Sequence, residues 1–207
     1  MENLKLRVLF FIVGLIIMTF GISMTIKADL GAGAWDALNV GLKGLVGLTV
    51  GNWVIIIGVF LMLLNAWILK KRPDYLAIIT VLVIGVMIDF WLLLVMDTWL
   101  MEGFIKQYIF LFLGILILGF GVSIYLQPKF SLNPVDGFMV SLRERFNLST
   151  RVAKTLTEGI AFVIALSVGG PIGIGTFIIL FCAGPAIQLF EPTITKLATY
   201  LDQNWAA

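Results

Sequence analysis

The chain has 207 residues, 60% of them hydrophobic and 13% charged, with a mean hydropathy of +1.07, a composition that belongs to integral membrane proteins and not to soluble domains. A single cysteine, Cys182, and the absence of histidine exclude an intrachain disulfide, the usual zinc or haem ligand set and a histidine proton relay, so neither metal nor cofactor is expected. A net charge of +2, with the basic residues near the ends of apolar runs, indicates the lipid bilayer and no nucleic acid as partner.

A membrane-crossing helix needs about 20 mainly apolar residues. The first such run, residues 8–26, follows Lys5 and Arg7 and precedes Ala32-Gly33-Ala34, a pattern that also fits a signal peptide. It is long enough to span, and a matching run recurs in mid-chain at 105–126, so a span is expected. Residues 27–51 are of intermediate polarity. Within them Asp29-Leu-Gly-Ala-Gly33 breaks the chain, and residues 34–46 predict a short apolar helix, too short to cross. Residues 52–69 and 75–95 complete a trio of spans.

The pattern then repeats. Residues 20–42 and 120–142 align without a gap: Phe20, Gly21, Ser23, Asp36, Val40 and Leu42 meet Phe120, Gly121, Ser123, Asp136, Val140 and Leu142. An ungapped match that includes an acid, a serine and glycine indicates duplication. The second loop, 127–151, contains Asn133-Pro134, which starts a helix running to about Phe146. Spans at 152–168 and 172–190 follow, with Gly169-Gly-Pro-Ile-Gly-Ile-Gly175 between them. That glycine run lacks the Lys-Ser/Thr of a phosphate loop and is expected to be a tight outer turn.

The expected fold is thus all-α and integral to the membrane, one domain over 1–207: six transmembrane helices in two three-helix repeats, 8–96 and 105–190. Each repeat carries a re-entrant or interfacial short helix. An odd number of spans per copy gives the copies inverted topology. Lys27, Lys43 and Lys106 fall on one side and all other Lys and Arg on the other, which places both termini on the cytoplasmic side of the membrane.

Two loop acids, Asp36 and Asp136, stand in the first turn of the short helices. Capping of free N–H groups and of the helix dipole is one role; if the loops re-enter, both also approach the midplane, where inverted-repeat carriers hold solutes and ions. Asp89, in the third span, has no local basic neighbour, so its burial calls for a distant partner or a proton. Its repeat counterpart is Gln188. Ser23 and Ser123, matched across the repeat, complete the candidate set for substrate or ion coupling. Glu158 follows Lys154 by one helical turn, so a local ion pair near the cytoplasmic face is the first reading of both, with a substrate role as its alternative. Trp53, Trp67, Trp91 and Trp99 lie near span ends, as in an interfacial belt.

Phe20-Gly-x-Ser23, Ala28-Asp-Leu-Gly31 with Trp35-Asp36, and Gly85-x-x-x-Asp89 together resemble the bacterial YczE/YyaS/YitT-like membrane proteins over almost the whole chain. The resemblance implies a bacterial inner-membrane protein of several spans, in a family mostly of unassigned function and often suspected of transport. A proline commonly precedes the Trp-Asp of that pattern; here Ala34 does, while Pro134 holds the matching place in the second copy.

The leading expectation is a secondary transporter of a small solute. Its alternatives are a non-transporting accessory membrane protein and a substrate-capture subunit of an energy-coupled importer. No nucleophile, base and orienter can be assembled, so an enzyme is not expected. A chain this small leaves little protein around a central cavity, which is compatible with a homodimer although no motif specifies one.

Overall fold

The computed structural model describes residues 3–205. Its eight helices are α1 (Leu4–Lys27), α2 (Ala34–Val46), α3 (Val50–Leu69), α4 (Leu76–Asp89), α5 (Phe104–Tyr125), α6 (Pro134–Phe146), α7 (Thr150–Ser167) and α8 (Ile174–Trp205), with α4 extended by a π-helical stretch, Phe90–Val95. Local signals set most starts. The side chains of Asn3, Thr49, Asn133 and Ser149 accept hydrogen bonds from the first-turn amides of α1, α3, α6 and α7, and Pro134 occupies the first turn of α6, where its missing N–H costs nothing. The two short helices span the residues expected for them.

Positions one hundred residues apart share backbone features. Asp29 and Lys129, one hundred residues apart, both adopt left-handed φ, of 57° and 52°, where the chain breaks before α2 and α6. Gly47 and Asn147 end those helices at φ 95° and 51°, and Thr49 and Ser149 cap the helices that follow.

Helices α1 and α5 form the centre and run antiparallel. Tyr125 lies over Gly14, Leu118 over Gly21, and Met24 and Thr25 over Gly114. A Cβ on Gly21 would stand 2.4 Å from the Leu118 backbone nitrogen, so only glycine permits this approach. The other helices pack crosswise: α3 against α6 and α7 against α2, while α4 flanks α1 as α8 flanks α5. Leu15, Met18, Val50, Ile84, Ile88 and Tyr125 fill the core between α1, α3, α4 and α5.

Three features differ from the sequence expectations. Five helical segments, with residues 76–95 taken as one, are long and apolar enough to cross a membrane; α7 has span length but carries Arg151, Lys154 and Glu158. The last helix does not stop near residue 190. It continues through Pro185 and Pro192 because Ile194 and Ala198 bury against Leu6, Phe10 and Ile124, so tertiary packing outweighs the proline signal. Finally, the 169–175 turn is a docking element as well as a connection. Ala32 N donates to Pro171 O at 3.0 Å and Gly175 N to Leu30 O at 2.7 Å, so the break before α2 satisfies its backbone on the α7–α8 turn.

Candidate functional site

A ring contact joins the two short helices near their starts. Trp35 on α2 and Phe138 on α6 meet edge to face, with ring centroids 6.2 Å apart, and Asp36 and Asp136 stand beside them. Neither acid behaves as a simple cap. Asn133 caps α6, leaving the Asp136 carboxylate to accept from the buried Tyr125 hydroxyl at 3.2 Å. Asp36 folds back over Gly33 and, among the described residues, makes no hydrogen bond or ion pair.

Between them runs a line of charge on α7. Lys154 Nζ pairs with Glu158 Oε1 at 2.9 Å, the ion pair expected from their spacing. Glu158 also acts electrostatically on Asp36, and Lys154 stands in the field of Asp136. Asp36, Glu158, Lys154 and Asp136 therefore form one electrostatic group contributed by both halves of the chain. The sequence reading ranked the pairing of Glu158 with Lys154 above a substrate role, and its position in the field of Asp36 comes from the packing of α7 on α2.

A cavity of about 720 Å³ opens beside this group, between α7 and α8. Arg151 stands at one end, Asp36 and Glu158 lie deeper, and Phe162 and Phe177 close the far end with ring centroids 6.1 Å apart. Trp35 lines it too, and its buried indole N–H has no acceptor. The glycines on these walls face empty space: a Cβ at Gly159 or Gly184 would meet nothing within 4 Å. A volume of this size suits a small organic molecule.

The remaining candidates lie elsewhere. Asp89 finds its distant partner at the start of α3, where Thr49 Oγ1 donates to Oδ2 and Gly51 N donates to Oδ1 at 2.8 Å. No base is involved; a helix N-terminus neutralises the acid. Gln188 is exposed on α8, on the face that carries Phe181 and Gly184. Ser123 donates to Gly119 O at 2.7 Å and to Ile187 O at 3.1 Å, tying α5 to α8, and the Ser23 hydroxyl is buried without a partner. Trp91, expected in the interfacial belt, instead donates from Nε1 to Thr19 Oγ1 at 3.2 Å and packs on Phe20.

Asp89 is thus a clasp between α3 and α4. Asp89→Ala is expected to lower the unfolding free energy by about 2 kcal/mol, and Thr49→Val by less, because the charge-assisted bonds lie at a part-buried site. In urea unfolding of the solubilised protein the double variant should cost less than the sum of the two, the signature of a shared interaction.

Comparisons with known proteins identify the family. Residues 5–192 match the model of a family of unknown function, DUF6198. The chain is 34% identical over 199 residues to the "Uncharacterized protein YyaS" of Bacillus subtilis (strain 168), covering 96% of this chain and 98% of that one. It is 32% identical over 200 residues to the "Uncharacterized membrane protein YczE" of the same organism, covering 96% and 92%. A Haemophilus influenzae protein is 26% identical over 182 residues. No solved structure matches. A family model spanning nearly the whole chain, with two relatives above 30% identity, places this multi-pass membrane protein in the DUF6198 family, with YyaS and YczE as its relatives.

Proposed function

We propose that this chain is a secondary transporter of a small solute, built from two inverted halves and here open towards the cytoplasm. Antiparallel α1 and α5 and the matched turns at Asp29 and Lys129 support the inverted repeat. The observation that carries transport is an asymmetry between the halves. Helices α3 and α4 are closed on each other, with Gly51 against Gly85 and Gly58 against Val81, and Asp89 clasps the start of α3. Their counterparts α7 and α8 diverge around the cavity. With Lys70, Lys71, Arg72, Arg143, Arg145 and Arg151 on the cytoplasmic side, the closed pair seals the outer face and the Arg151 end of the open pair faces the cytoplasm.

Two equivalent gates in opposite states are what alternating access requires, and exchange of those states gives the other conformation. Each part of the outer clasp has a counterpart: Thr49 matches Ser149, Gly51 matches Arg151 and Asp89 matches Gln188. In the outward-open state the Gln188 side-chain carbonyl accepts from the Ser149 hydroxyl and the Arg151 amide, closing α8 on α7.

Cross-linking tests the exchange without knowledge of the solute. A protein carrying Ser149→Cys, Gln188→Cys and Cys182→Ala should form the 149–188 disulfide in membranes under mild oxidation. Once linked, a further Ile55→Cys, which packs on Gly85 in the closed outer gate, should become labelled from outside by an impermeant maleimide. Failure of the pair to link, or linkage that leaves Ile55→Cys as unreactive as before, would rule the two-gate reading out.

A further inference from the structure

The cavity between α7 and α8 is polarised along its length, and the order of its charges selects a ligand. At the mouth Arg151 makes no ion pair among the described residues. Lys154 and Glu158 neutralise each other one and two turns further in. Asp36, without a hydrogen-bond partner, lies at the level of Glu158, near Ile179, where the walls turn apolar towards Phe162 and Phe177. From mouth to floor the sequence is therefore cation, anion, apolar surface. The unpaired Trp35 N–H adds one donor at the inner end.

We propose that the cavity binds an amphiphilic zwitterion whose cationic group adjoins its apolar part and whose anionic group lies at the far end. In that order the apolar part rests on Phe162 and Phe177, the cation meets Asp36, and the anion reaches Arg151. Along α7 the seven residues from Arg151 to Glu158 rise roughly 10 Å, a span that the long arginine side chain shortens. Common phospholipids are built the other way, with the phosphate next to the acyl chains and the ammonium outermost. Their head dipole opposes that of the cavity, so the ligand is a solute from the aqueous phase and not a lipid of the leaflet. Opposed dipoles place like charges together at both ends, which disfavours binding.

This assignment deepens the transporter reading by naming its substrate class, yet binding is measured at equilibrium and does not depend on the gates exchanging. Two commercial probes share an octyl chain and a zwitterionic head and carry opposite dipole order: an octyl sulfobetaine, with ammonium next to the chain and sulfonate outermost, and octylphosphocholine, with phosphate next to the chain and ammonium outermost. The full chain with Cys182→Ala and Gly184→Cys, in phosphatidylcholine nanodiscs, reports occupancy as protection of Gly184→Cys from a maleimide. The expected result is protection by the sulfobetaine at a concentration about tenfold below that needed for the phosphocholine. Arg151→Gln and Asp36→Asn should each abolish the preference; Asn at position 36 keeps the side-chain shape. A cysteine at Leu63, on the exposed face of α3, should show no preference between the probes.

Equal protection by the two probes overturns the proposal. So does protection of Gly184→Cys before any probe is added, which would mean that the nanodisc phospholipid fills the cavity. If the probe order holds but the 149–188 pair never links, the transporter reading falls and the site stands; if the pair links and the probe order fails, the reverse is true.

Discussion

Gly21→Ala should cost the protein roughly 3 kcal/mol of stability, the upper end of the usual range for overpacking, because the obstacle is backbone. The new methyl would lie 2.4 Å from the Leu118 nitrogen and 2.7 Å from its Cα, and neither can rotate away. Relief requires α1 and α5 to move apart along their length, which would also loosen Gly14 over Tyr125 and Gly121 over Met18. The gain in helix propensity from Gly to Ala, at most about 1 kcal/mol, offsets only part of this. For a chain of this size the melting temperature should fall by roughly 6–12 °C. Gly44→Ala is the control: it lies inside α2 with nothing within 4 Å of the new atom, so its melting temperature should hold or rise. A Gly21→Ala protein as stable as that control would remove the close antiparallel crossing from the account of this fold.

Gly51→Ala introduces a similar clash with a different expected outcome. Its Cβ would stand 2.0 Å from Gly85 O and 2.6 Å from Asp89 Cγ, so the closed α3–α4 pair cannot accept it. In the proposed outward-open state that pair is spread as α7 and α8 are here, where the glycines meet open space. The substitution then penalises one conformation and spares the other. A penalty of 1–3 kcal/mol corresponds to a shift of about 5- to 150-fold in the ratio of the two states. Labelling of Ile55→Cys from outside should rise by that order, while labelling of Gly184→Cys in the α7–α8 cavity falls. A drop in melting temperature with both labelling patterns unchanged would instead mark Gly51 as an ordinary packing position. The contrast with Gly21 is the informative part, since the α1–α5 crossing is shared by both halves and has no second arrangement to adopt.

Several details of the site follow from partners that no local pattern reveals. The burial of Asp89 called for a distant partner or a proton, but only the fold identifies that partner as Thr49 and Gly51, 40 and 38 residues away near the start of another helix. Glu158 had an adequate neighbour in Lys154, which concealed its place beside Asp36. Asp36 and Asp136 were legible as a pair through the repeat; their link through Glu158 and Lys154 follows from the packing of α7 against both α2 and α6. Gln188 and Asp89, equivalent by alignment, occupy opposite situations, one exposed and one clasped, because α4 packs directly on α3 while α8 packs on α5 and stands off α7.

By itself the sequence determined the membrane setting, most of the spans and the bounds of both short helices. Those properties depend on hydropathy summed over about 20 residues and on caps and turns that act within four residues, so neighbours along the chain suffice. The tertiary structure alone decided that α8 runs on past Pro185 and Pro192, that the 169–175 turn docks on the break before α2, and that α7 and α8 stand apart while α3 and α4 are closed. Each of these is a choice among packings of segments distant in sequence. Contacts between helices, not the residues along any one of them, select that packing.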